Sequence, residues 1–94
     1  MVHGSKIRVL IVDDSAIVRK ILSDALTGEP DMEVVGQARN GVEAVELAQL
    51  LHPDVILMDL HMPLKGGVAA TREITRALPN TSVTADGAKP GEAL

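Results

Sequence analysis

The sequence predicts an α/β fold built on a parallel sheet, and three observations carry the prediction. Apolar runs of strand length alternate with stretches of helical apolar spacing, in the order strand, helix, strand, helix, strand, helix. Two of those runs, Ile7 to Val12 and Val55 to Met58, end directly on carboxylates, Asp13-Asp14 and Asp59. The chain is 94 residues long and 46% hydrophobic, which allows one globular core and one domain at most.

Taken in order, Met1 to Ser5 is a short polar stretch read as a disordered leader, with His3 a bystander in it. The first strand follows. Ser15 is placed to cap a helix from Ala16 to about Thr27, because a serine hydroxyl there accepts from the free amides of the first turn. Ile17, Ile21, Leu22, Ala25 and Leu26 are expected to form its inward face. Gly28 and Pro30 stop it.

Met32 to Ala38 is a second strand, brief and interrupted by Gly36, and so expected at a sheet edge. Asn40-Gly41 turns the chain into a helix from about Val42 to Leu51, with Val42, Val45, Leu47, Ala48 and Leu51 apolar. His52-Pro53 ends it, because the residue before a proline avoids the helical region. His52 itself reads as a helix C-terminal residue favoured by the dipole. After the strand that ends on Asp59, Leu60 to Gly66 forms a loop, and Val68 to Leu78 a third helix with Val68, Ala69, Ile74 and Leu78 facing in. Pro79-Asn80 stops it.

Composition narrows the function. A formal net charge of -4 argues against a nucleic-acid-binding surface, and the absence of cysteine leaves neither disulfides nor a thiol site. No run of 18 or more apolar residues marks a membrane span and no apolar signal region opens the chain, so a cytoplasmic location is expected. There is no Phe, Tyr or Trp, so the core must be built from aliphatic side chains, each contributing roughly 1.5–3 kcal/mol when fully buried.

The chemistry concentrates where the strands end. Parallel strands deliver their carboxyl ends to one edge, the edge at which open α/β sheets bind ligands. Three carboxylates gathered there repel one another unless a hard cation joins them, and an oxygen-rich site with open positions suits Mg²⁺. An Asp pair after a strand could instead simply cap the next helix. Asp59 at the matching strand end favours the metal.

With Val9-Leu-Ile-Val-Asp-Asp-Ser15, Leu57-Met-Asp-Leu-His-Met-Pro63 and Gly66-Gly67 at this spacing, the chain resembles the receiver domain of bacterial two-component response regulators, over roughly Lys6 to Val83. The wording from Asp31 to Ile74 looks most like receivers of LuxR/NarL-type regulators, whose output is helix-turn-helix DNA binding and transcription regulation. The resemblance implies a flavodoxin-like three-layer sandwich with a parallel sheet, strand order 2-1-3, and a fourth strand ending at Val83-Thr84-Ala85. It also implies that Asp59 is the phosphoacceptor of a sensor histidine kinase, and that Asp14, Asp13 through water, Asp59 and the backbone carbonyl of His61 hold Mg²⁺. Thr84 and Lys89 take the family's two phosphoryl-contacting roles. Ser15 is read as a cap, and Pro63 with Gly66-Gly67 as shaping the loop.

Beyond Thr81 the chain departs from the family. What remains is too short for the last helices and the fifth strand, and there is no aromatic residue to serve as the fifth-strand rotamer switch. Residues 84–94 read as an irregular or disordered tail, left either by an internal deletion before Lys89 or by truncation or frameshift. Helical cover is then expected to be missing from both sheet faces. Two functions follow: a receiver module whose usual output surface is lost, or an interaction module that dimerises through exposed apolar surface. A metal-dependent phosphohydrolase of the haloacid-dehalogenase kind fits poorly, since His61 stands where that family has its second Asp. Neither DNA binding nor methylesterase activity is expected of the chain itself, and its own catalysis is expected to be limited to phosphorylation and dephosphorylation of itself.

Overall fold

Leu10, Ile11 and Val12 are fully buried, and the strand that holds them is the second of four in a wholly parallel sheet. A computed structural model of the chain describes residues 6–60, 62 and 65–86, with Ala85 and Asp86 described by their backbone alone. The elements are β1 (Ile7–Val12), α1 (Ala16–Thr27), β2 (Met32–Ala38), α2 (Gly41–Leu51), β3 (Val55–Asp59), α3 (Gly67–Ala77) and β4 (Ser82–Asp86). The sheet order is β2-β1-β3-β4, the predicted 2-1-3 order with the fourth strand added beside β3. Among the described residues β2 and β4 are the edges.

The chain reverses direction across the sheet after β2. Right-handed crossovers therefore put α1 on one face and α2 with α3 on the other. In agreement, α2 and α3 pack on each other and α1 touches neither. The face under α2 and α3 is closed: Leu10, Val12, Ile56 and Met58 meet Ala44, Ala48, Ala70 and Ile74, and Val83 of β4 packs against them half-buried. The face under α1 is only half covered. The helix lies over β1 and β2, so Val9 and Ile11 are buried, while Val55 and Leu57 on the same side of β3 remain partly open. Among the described residues, missing cover is thus confined mainly to one face, not spread over both.

Several boundaries are set by the predicted caps. Ser15 Oγ accepts from Val18 N at 3.2 Å, and Gly28 closes the other end of α1. Asn40 is an N-cap rather than part of a turn: its Oδ1 accepts from Glu43 N at 2.9 Å, so α2 begins one residue early, at Gly41. The carboxylate of Glu43 accepts from Arg39 N at 2.9 Å, one residue before the cap, and so ties the approach of the chain to the first turn of α2. His52, with φ of 48°, caps α2 in the left-handed region and donates its N–H to Ala48 O. That conformation costs a residue with a Cβ roughly 1–2 kcal/mol, of which glycine recovers about half after its own entropy loss. His52→Gly is therefore expected to raise stability by about 0.5–1 kcal/mol, read from the urea midpoint.

Three inward faces differ from their expected phase. In α1 the half-buried residues include Val18, Leu22 and Leu26, whereas Ile17 and Ile21 are 73% and 61% exposed. In α2 the buried positions are Gly41, Ala44 and Ala48, and Val42 faces out. In α3 they are Gly67, Ala70, Thr71 and Ile74, and Val68 and Ala69 are exposed. The buried set of α3 keeps ideal i, i+3, i+4, i+7 spacing. The run Gly67-Val-Ala-Ala70 offers two registers of nearly equal hydrophobicity, and the close approach of Gly67 to the strand below selects one of them. The tail boundary also moves, because β4 continues through Thr84 and Ala85 to Asp86; residues 1–5 and 87–94 lie outside the described ones.

Candidate functional site

β1 and β3 pair in parallel, with Val12 opposite Met58, so the next residues, Asp13 and Asp59, emerge side by side at the carboxyl edge of the sheet. Asp13 is only 6% exposed. Its amide donates to Ala38 O at 3.1 Å, its Oδ1 accepts from Ser15 N at 2.9 Å, and its carbonyl accepts from Arg19 Nη1 at 2.7 Å. These bonds fix the turn from β1 into α1 and aim Asp13 at the edge. Asp14 is exposed and Asp59 half-buried. One carboxylate oxygen from each of the three lies within 4.8 Å of the others.

The rim is held by close backbone approaches. Gly67 starts α3 so near the end of β3 that an added Cβ would sit 2.2 Å from Asp59 O and 2.7 Å from Leu60 Cα. Gly41 does the same for α2: its amide donates to Lys65 O at 3.1 Å, and a Cβ there would lie 2.2 Å from that oxygen. Leu60 and Lys65 are thereby held close to the starts of α3 and α2. Lys65 also pairs with Glu73 of α3. At the outer rim the side-chain bond from Arg39, joined by its amide, holds the Glu43 carboxyl below the usual carboxylate range, and the same bond raises Arg39.

Asp13, Asp14 and Asp59 are therefore brought together as expected. Thr84 is not brought to them. It is exposed and pairs with Leu57, two residues short of Asp59, which puts it about 6.6 Å back along the strand. The reason lies at the start of β4: Thr81 Oγ1 donates to Pro53 O at 2.8 Å and Ser82 N to Asp54 O at 3.0 Å, leaving only two strand residues before Thr84. The residue in register with Asp59 is Asp86, which sequence reasoning missed and which counting from the strand start would have found. His61 and Lys89 lie outside the described residues.

The family model for the response regulator receiver domain matches residues 9–90. The chain belongs to that family. This receiver is 49% identical over 76 residues to a protein-glutamate methylesterase/protein-glutamine glutaminase of Pyrococcus abyssi, covering 81% of this chain and 21% of the relative. It superposes on the response regulator domain of Thermotoga maritima CheB with a TM-score of 0.84 at 44% identity, covering 94% of this chain and 66% of that one. A LuxR-family response regulator from Aurantimonas sp. SI85-9A1 superposes with a TM-score of 0.81 at 33% identity, over 86% of this chain and 58% of that one. The receiver thus spans about a fifth of the length of the curated relatives it matches. These identities correct the expected affinity with DNA-binding regulators: the likeness is greater to receivers attached to methylesterases, and transcription regulation is not supported. Among the described residues, no helix is long and apolar enough to cross a membrane.

Proposed function

We propose that this receiver accepts a phosphoryl group on Asp59 from a phosphohistidine of a sensor kinase. The observation that carries the reading is the gathering of Asp13, Asp14 and Asp59 within 4.8 Å at the edge of β1 and β3. In the transfer, a carboxylate oxygen of Asp59 forms a bond to phosphorus as the phosphorus–nitrogen bond breaks, and the imidazole leaves with the electron pair and is protonated. Such a transfer asks mainly for positioning and for charge compensation on the phosphoryl oxygens.

The donor set is all oxygen and anionic, which fits a hard cation such as Mg²⁺. Asp13, Asp14 and Asp59 would hold it, with the His61 carbonyl as the further ligand the family resemblance implies. When bound, the ion supplies positive charge to the phosphoryl oxygens. The chain's own part is to fix the nucleophile. Burial of Asp13 and its bond from Ser15 N hold one carboxylate, and the contact of Gly67 with the Asp59 backbone holds the other. Thr84, two residues back in register, is not assigned a phosphoryl contact.

The relatives at 49% identity suggest methylesterase/glutaminase control as the output such a receiver serves in a longer protein. The alternative is an interaction module that self-associates, and the exposure of Ile17 and Ile21 on α1 favours it. Both readings meet in one experiment. Incubated with acetyl phosphate and Mg²⁺, the chain is expected to gain one phosphoryl group by intact mass, and Asp59→Asn none. A chain that gains none, yet sediments as a concentration-dependent dimer with or without donor, would support the interaction module instead.

A further inference from the structure

We infer that Asn40-Gly41 is a modification site, a succinimide-forming pair held shut by the cap of α2 and the carbonyl of Lys65, at which the chain deamidates when that clasp opens locally. The site is independent of the role proposed for Asp59. Asparagine is among the heat-labile residues, and loss of its side-chain amide is fastest before glycine, where no side chain hinders the approach of the next backbone nitrogen. Both halves of the pair are fixed by the fold. Asn40 caps α2 through its Oδ1, which accepts from Glu43 N at 2.9 Å, and position 41 excludes a Cβ, which would lie 2.2 Å from Lys65 O. The same contacts withhold the reacting atoms.

The nucleophile is the Gly41 nitrogen, but its N–H donates to Lys65 O at 3.1 Å and the residue is buried. The electrophile, Cγ of half-buried Asn40, is turned towards the first turn of α2 by the bond from Glu43 N. Asn40 is also extended, with ψ of 174°, which staggers its Cβ against the Gly41 nitrogen, whereas a five-membered ring requires the two eclipsed. Closure therefore needs rotation about the Cα–C bond of Asn40, which breaks the cap and lifts Gly41 off Lys65 together. Once the clasp is open, the deprotonated Gly41 nitrogen bonds to Cγ, the bond from Cγ to the side-chain nitrogen breaks, and that nitrogen leaves as ammonia with the proton. One water then opens the ring. Cleavage at Cγ gives aspartate at position 40, whose carboxylate still caps α2 and is favoured by the helix dipole. Cleavage at the main-chain carbonyl gives isoaspartate, which routes the backbone through one more methylene and displaces Gly41 from Lys65.

The test incubates the full chain in mildly alkaline buffer, across a guanidinium chloride series that passes through its unfolding transition, and follows conversion at Asn40 by peptide mass spectrometry. Asn80, the second asparagine of the chain, is the internal reference, because β-branched Thr81 follows it and slows ring closure. In the unfolded chain Asn40 is expected to convert well before Asn80. In the folded chain it should convert at least about tenfold more slowly than in the unfolded one, from the combined protection of a cap and a backbone hydrogen bond. Below the transition the folded rate should stay flat with denaturant, since a local opening exposes little surface. Aspartate and isoaspartate are both expected at position 40. Equal rates in the folded and unfolded chain would overturn the inference, because the clasp then protects nothing. A folded chain that never converts, or one whose rate climbs with denaturant as steeply as global unfolding, would overturn it too, because the site then has no local opening of its own.

Discussion

Gly67→Ala is expected to destabilise the domain by about 3 kcal/mol and to reduce phosphorylation of the molecules that remain folded. The added methyl has nowhere to go. It would meet the carbonyl oxygen of Asp59 at 2.2 Å and the Cα of Leu60 at 2.7 Å, and both are backbone, so relief requires the end of β3 or the start of α3 to move. Either movement shifts Asp59 against Asp13 and Asp14. The neighbouring Gly66 supplies the control: a Cβ there meets nothing within 4 Å among the described residues, and Gly66→Ala is expected to stay within about 0.5 kcal/mol of the parent. Urea midpoints for the two variants decide the matter, and equal losses would mean that the clash at Gly67 is not what limits the loop.

Ile56→Ala is expected to cost about 2–5 kcal/mol, a large part of the stability available to a chain of this size. Ile56 is fully buried on the sheet face under α2 and α3, in a cluster with Leu10, Met58, Ala70 and Ile74 that has no aromatic ring to fill a vacated space. The cavity left by three carbons therefore persists. Ile17→Ala removes the same atoms from a side chain that is 73% exposed, and should change stability by less than about 0.5 kcal/mol. The contrast between two isoleucines, measured by the same urea titration, reads out the difference between the closed core under α2 and α3 and the outward side of α1.

That asymmetry marks the limit of what the sequence alone discloses. The apolar runs ending on Asp13-Asp14 and Asp59 announced both strands and the acidic edge, because few other arrangements place a carboxylate directly after a buried run. Ser15 was equally plain, since a serine before an apolar helical pattern has an obvious use as a cap. The phase of α3 was not legible: Gly67-Val-Ala-Ala70 is uniformly small and apolar, and the clash that fixes its register involves the backbone of β3, which no local pattern contains. The outward turn of Ile17 and Ile21 was hidden for a related reason. Helical spacing shows that an apolar face exists, but which part of it meets the sheet depends on where α1 lies over β1 and β2.

The fourth strand shows how matching a dipeptide can mislead. Thr84-Ala85 resembles the end of a receiver's fourth strand, yet strand position is decided by the start, where Thr81 and Ser82 bond to Pro53 and Asp54. From that anchor Thr84 is the third residue of five, and Asp86 is the one level with Asp59. Counting from the strand start, and not from the dipeptide, gives the register.

Asp59, rather than Asp13 or Asp14, is expected to form the acyl phosphate. The direct measurement is borohydride trapping: the chain is treated with acetyl phosphate and Mg²⁺, reduced, digested and analysed by peptide mass spectrometry, since reduction converts an aspartyl phosphate to homoserine. Homoserine at position 59 alone is the predicted result. Homoserine at 13 or 14, or at none of the three positions despite a phosphorylated chain, would contradict the assignment.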